Sequence, residues 1–183
     1  MSDTFCPIPW NFQAIRNNGD VRICCQSNIA KSRGILTAED GKIVNAGNSS
    51  LEEARHVPLM KLVRSNMLQG KWSDECVRCK EEESAGLNSR RMYELENWKF
   101  SFEDAVKVTN PDGSLTGDAP LPVYYDLRFG NLCNLACRMC GPTDSHTWYE
   151  QWSGLYGSEQ FKDTHGTVKL IRNDKGRLPP KAY

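Results

Sequence analysis

Three cysteines, Cys133, Cys137 and Cys140, follow the apolar, aromatic stretch Val123-Tyr124-Tyr125-Asp126-Leu127-Arg128-Phe129 at the spacing C-x3-C-x2-C. A fold that accepts this run must deliver a strand into a loop on which three thiols converge. A closed structural zinc site takes four ligands, and this loop offers three with no local fourth. Three thiolates around a cubane of iron and sulfide leave one iron open, and an open iron can bind a small molecule. The chain carries 8 cysteines in all. In a small exported protein that number would suggest a disulfide framework. The start Met1-Ser2-Asp3-Thr4-Phe5-Cys6-Pro7 has neither the basic nor the apolar region of an export signal, which points to a cytoplasmic protein. Closely spaced cysteines converge on one centre more easily than they find distant partners, so metal is expected, as iron–sulfur before zinc.

The other five cysteines lie in the first half: Cys6, Cys24, Cys25, Cys76 and Cys79. Phe12-Gln13-Ala14-Ile15-Arg16 and Val21-Arg22-Ile23-Cys24 flank Asn17-Asn18-Gly19-Asp20, which predicts a β-hairpin. That hairpin brings Cys6, before its first strand, near Cys24, at the end of its second. Cys76-x2-Cys79 adds a second pair, making four ligands and a closed site. Neighbouring strand residues face opposite ways, so only one of Cys24 and Cys25 reaches the site, and Cys24 is the expected ligand. Ser50-Leu51-Glu52-Glu53 predicts a helix start. Pro58 opens or interrupts a helix running through Leu59, Leu62, Val63 and Met67 to Gly70. Cys76 to about Trp98 reads as one helix, with Gly86 a breaker risk. Residues 101–122 read as loop or loose hairpin, with a turn at Asn110-Pro111-Asp112-Gly113.

The three-cysteine motif after its strand resembles the radical S-adenosylmethionine (SAM) enzymes. The resemblance implies a 4Fe–4S cluster on Cys133, Cys137 and Cys140 whose open iron binds SAM. The implied reaction is reductive cleavage of SAM to a 5′-deoxyadenosyl radical, which abstracts hydrogen from a substrate. A donor such as ferredoxin or flavodoxin would supply the electron. Many members carry an aromatic residue before the third cysteine; here Met139 stands there, and a thioether can pack against adenine. The pattern C-x12-G-x4-C followed by C-x2-C resembles the auxiliary-cluster modules called SPASM and twitch domains. This resemblance implies a second 4Fe–4S cluster, on Cys6, Cys24, Cys76 and Cys79. Such modules usually follow the catalytic barrel, whereas this one precedes it.

The implied fold is α/β. Residues 1–100 form a small hairpin-plus-helices auxiliary module and residues 101–122 a linker. Residues 123–183 then form the first β/α unit of an incomplete radical SAM (β/α) barrel. Val123 to Phe129 would be its buried strand, and Thr143-Asp144-Ser145 would cap a helix with Trp148, Trp152 and Leu155 on one face. Thr167-Val168-Lys169-Leu170-Ile171 reads as a further strand. A six-stranded partial barrel needs roughly 200 residues, so the chain is expected to be the N-terminal part of a longer enzyme.

With 23 basic and 23 acidic residues the net charge is zero, which is no footprint for nucleic acid, and no apolar run reaches the ~20 residues of a membrane span. His56, His146 and His165 read as surface or cap residues, and the tryptophans as packing, although Trp10 could cover a cluster. Lys80-Glu81-Glu82-Glu83 reads as a solvated helix face. The substrate is not legible; SPASM and twitch relatives often act on peptides. Two other classes stay open, a non-catalytic iron–sulfur electron carrier or accessory protein and a zinc-binding interaction module.

Overall fold

The computed structural model describes residues 3–27, 34–163 and 166–181. His165 lies outside the described residues. The fold is mixed α/β, with two small sheets and several short helices, and it divides into two compact units. One comprises Met1–Ile15 and Asp20–Leu127; the other comprises Arg16–Gly19 and Arg128–Tyr183. Among the described residues no helix is long and apolar enough to cross a membrane.

In the first unit a one-turn helix α1 (Ile8–Asn11), opened by prolines that need no amide partner, runs into β1 (Phe12–Ile15). The hairpin forms as its turn residues predict: β1 pairs antiparallel with β2 (Val21–Arg22), Ala14 opposite Arg22 and Ile15 opposite Val21. The segment from Gly34 to Asn45 bonds along the far side of β2, through Ile23 N to Gly34 O at 2.8 Å and Val21 N to Val44 O at 3.0 Å. α2 (Leu51–Ala54) has the full capping box, with Ser50 and Glu53 each bonding the other's amide. α3 (Pro58–Leu68) starts on Pro58 and buries Met60, Val63 and Met67 in the same core as Trp10, Phe12, Ala14 and Val21.

The single helix expected over residues 76–98 is two. A 3-10 turn, Asp74–Cys76, leads into α4 (Val77–Ser84), and α5 (Arg90–Asn97) follows. The break is chemical. Gly86 takes φ 74°, its amide bonds Glu83 O at 3.0 Å, and Leu87 N bonds Glu82 O at 2.9 Å. This is a glycine-terminated helix end. Ser89 then accepts from Met92 N and starts α5. The stretch 101–122 is likewise not all loop: Ser101 and Asp104 form a capping box that starts α6 (Phe102–Lys107). The Asn110–Gly113 turn is present, with Thr109 bridged to Leu115.

β3 (Tyr124–Leu127) pairs in parallel with β1, Phe12 opposite Tyr124, so the sheet order is β2-β1-β3. It is not the buried strand expected. Tyr124, Tyr125 and Leu127 are exposed, because β3 is an edge strand with β1 as its only neighbour in the sheet.

In the second unit a 3-10 turn, His146–Trp148, precedes α7 (Tyr149–Tyr156). The buried residue of α7 is Tyr149, which packs with Phe161, Leu170 and Leu178; Trp152 packs against the same cluster as expected, whereas Leu155 is exposed. The strand expected over 167–171 is β5 (Gly166–Lys169). It pairs antiparallel with β4 (Gln160–Asp163), a strand without a strong apolar pattern.

Candidate metal centres

Four thiols from three separate segments line one small cavity of about 30 Å³ in the first unit: Cys6, Cys24, Cys76 and Cys79. Cys6 stands just before α1, and Cys24 two residues past β2. Cys76 closes the 3-10 turn and Cys79 lies in the first turn of α4, the three-residue spacing that puts two side chains on one helical face. Cys25 does not line the cavity. Among the described residues no group of three or more His, Cys, Asp or Glu side chains is arranged to hold a metal ion.

Their electrostatics follow from burial. Desolvation first, and then the neighbouring Cys76 and Cys79, push the Cys6 thiol far up; desolvation and Cys79 push Cys76 up to about 12. A hydrogen bond with Cys25, then burial, raises Cys24, and the same bond lowers Cys25, aided by Arg90. Three arginines line the same cavity, Arg78, Arg90 and Arg91, against one carboxylate, Glu75. Each arginine is itself paired with a glutamate, Arg78 with Glu82, Arg90 with Glu94 and Arg91 with Glu83, so what recommends the space for an iron–sulfur cluster is its four thiols.

Arg91 is the most enclosed of the three. Its guanidinium donates to Phe5 O at 3.0 Å and to both oxygens of Glu83, at 2.8 and 2.5 Å, and lies 5.6 Å from the centre of the Trp72 ring. Trp72, not Trp10, stands at the cavity wall; Trp10 is buried in the core and donates to Thr109 Oγ1 at 2.7 Å. Glu83, expected on a solvated face, is tied down by Arg91 and Ser89.

The second centre is the loop of Cys133, Cys137 and Cys140, whose thiols are near enough that Cys137 and Cys133 both act on Cys140. Partial burial, then Asp144, then these neighbours hold Cys140 above its ordinary value. The loop is built around Asn131, fully buried, whose Nδ2 donates to Tyr149 Oη at 2.7 Å and whose carbonyl accepts Cys133 N and His146 N, both at 2.9 Å. Ser145 Oγ and Thr147 Oγ1 each donate to Leu135 O at 2.7 Å, and Trp148 Nε1 to Cys137 O at 3.2 Å. Asn17, in the hairpin turn, donates to Thr143 O and, at 3.0 Å, to Asp144 Oδ1. His146 joins this scaffold through Nδ1, 3.3 Å from Asn131 O. Met139 is 98% exposed at the loop tip.

Neither Asn131 nor Arg91 is visible to spacing rules, because each acts through contacts far along the chain. The Ser145-x-Thr147 pair after the cysteine loop is the one local hint of its hydrogen-bonded frame. No family model, no curated protein and no solved structure matches this chain.

Proposed function

We propose that this chain is an iron–sulfur protein of the radical SAM type, with a closed four-thiol site and an open three-thiol site. The observation that carries the proposal is the convergence of Cys6, Cys24, Cys76 and Cys79 on one arginine-flanked cavity. Cysteines acting only as small apolar core residues have no reason to collect four at a time around open space. A four-thiolate zinc site would accept the same ligands, so metal analysis has to separate the two.

In this reading Cys133, Cys137 and Cys140 hold the second cluster and leave it a free position. When bound, that cluster supplies the low-potential electron that cleaves the SAM sulfonium. The chain's own residues do the rest. Asn131, Ser145, Thr147 and Trp148 fix the loop carbonyls so that three thiols face one side. Met139, exposed beside Cys140, is free to cover a ligand there. Arg78, Arg90 and Arg91 offset negative charge in the four-thiol cavity, which suits a group that carries electrons and does not bind substrate.

The test is iron, acid-labile sulfide and zinc per chain after anaerobic reconstitution, followed by SAM cleavage with dithionite as reductant. About eight irons with matching sulfide, four at each centre, is the expected result. About four irons and no effect of SAM on the spectrum would leave an electron carrier. About one zinc with little iron would leave a structural metal module and end the radical SAM reading.

A further inference from the structure

We propose that Arg91 is the positioning residue of the four-thiol site and sets the redox potential of the cluster there. This inference rests on the reading that the site holds an iron–sulfur cluster.

Two ligand-bearing segments, far apart in sequence, must be held at a fixed separation. Arg91 ties them. One nitrogen holds Phe5 O, the carbonyl next to Cys6, at 3.0 Å. The other side of the fork holds the carboxylate of Glu83, on the helix that carries Cys79, at 2.8 and 2.5 Å. Trp72 lies alongside the guanidinium, 5.6 Å from ring centre to Cζ. Lysine cannot reproduce the two-pronged grip, because an ammonium is a point charge without a planar fork.

The charge is placed as well as the geometry. The side chain of Arg91 is 12% exposed, against 30% for Arg90 and 42% for Arg78, all three lining the same cavity. A charge withdrawn from water acts on its neighbours through a lower effective dielectric and is less screened. Arg91 is thus the least exposed of the three lining cations, and Glu83, 17% exposed, is its counterweight. Adding one electron makes an anionic cluster more anionic. A nearby cation favours the reduced form and a nearby carboxylate disfavours it.

Opposite signs separate this role from a merely structural one. In the full chain carrying Cys133→Ala, Cys137→Ala and Cys140→Ala, so that one cluster is read, the midpoint potential is measured by electron paramagnetic resonance during titration with dithionite. One electron passes from dithionite to the cluster, and no bond to protein forms or breaks. Arg91→Gln should lower the reduced-to-oxidised ratio at fixed potential about tenfold, which is about 59 mV for one electron. Glu83→Gln should raise that ratio, and Arg91→Lys should stay near the parent while holding less iron. If Arg91→Gln retains no cluster, the rise in Glu83→Gln carries the test alone. Cluster uptake with unmoved potentials, or shifts of the same sign in both variants, overturns the assignment of Arg91 alone. A parent chain that takes up no iron and sulfide at this site overturns the assignment together with the reading beneath it.

Discussion

Gly113→Ala should destabilise the first unit well beyond what its backbone conformation costs. Gly113 takes φ 84°, and a left-handed conformation costs an alanine about 1–2 kcal/mol. An added Cβ would also stand 1.8 Å from Lys61 O and 2.7 Å from its carbon, both backbone atoms of α3, so no side chain can move aside. The turn has to lift. The carbonyl of Gly113 is the partner of Arg64 Nε at 2.8 Å, and Arg64 is fully buried, with its other nitrogens on Pro9 O at 3.3 Å and Arg55 O at 2.6 Å. Burial already pulls this guanidinium down to about 9, so it has little margin for losing a partner. An unsatisfied buried donor adds about 1–3 kcal/mol, for a total of about 2–5 kcal/mol. Gly41→Ala is the control: φ is 83°, and nothing lies within 4 Å of the added carbon. It should cost the backbone term only. Urea and thermal unfolding of the two variants, followed by circular dichroism, isolate the overlap. Gly113→Ala should melt about 5 °C below Gly41→Ala, at roughly 2–4 °C per kcal/mol for a chain of this size. A difference of under about 1 kcal/mol would falsify the close approach of this turn to α3.

Three further outcomes are expected. Cys24→Ala should lower iron per chain by about four after reconstitution, while Cys25→Ala leaves it unchanged, because only Cys24 lines the cavity; equal losses would reverse that assignment. Asn131→Asp replaces a buried donor to Tyr149 Oη with a carboxylate. It should cost about 3 kcal/mol at neutral pH, measured as a urea midpoint. Burial raises the folded-state pKa of such a group, so the loss is absent in acid and grows as pH climbs above about 4; a pH-independent cost would contradict a buried carboxylate. Ser50→Ala removes the hydroxyl that accepts Glu53 N at 3.1 Å and should cost about 1 kcal/mol in thermal unfolding.

Where structure is specified by neighbours in sequence, the chain could be read directly. The Asn17–Asp20 turn, the Ser50–Glu53 capping box and the Pro58 helix start each use two to four adjacent residues to satisfy local amides. The residues that line the four-thiol cavity were legible for a related reason, since a hairpin and a three-residue helical spacing place thiols by local geometry. Misreadings came where local and long-range terms compete. Gly86 was seen as a risk, yet the Leu87 amide bonding back to Glu82 turns it into a stop, and Ser89 restarts the helix. Val123 to Phe129 is apolar enough for a buried strand, but burial depends on what lies alongside, and β3 has one neighbour. β4 was missed because Gln160-Phe161-Lys162-Asp163 carries a single apolar side chain, and its pairing with β5 sets the conformation.

The two thiol groups differ in a way that bears on what each can do. Cys6 is buried and Cys24 and Cys76 are partly buried; burial is the main cause that raises Cys6 and Cys76, while Cys24 is raised first by its hydrogen bond with Cys25. A group bound among them would be shielded on most sides and compensated by arginine, which suits storage or passage of charge. Cys137 is exposed and Cys133 and Cys140 are half-buried, on a loop whose carbonyls, not its thiols, are tied into the fold. Such a loop fixes direction while leaving one side of its centre accessible. The side chains around it point the same way: Phe129, Leu132, Leu135 and Met139 are all exposed, too many apolar groups in a dozen residues for a surface that faces only water. An open iron needs an accessible face, and an apolar surround would exclude water from chemistry carried out there. The four-thiol group and the three-thiol loop thus differ in burial as well as in number of cysteines, a contrast in keeping with the two-cluster reading proposed above.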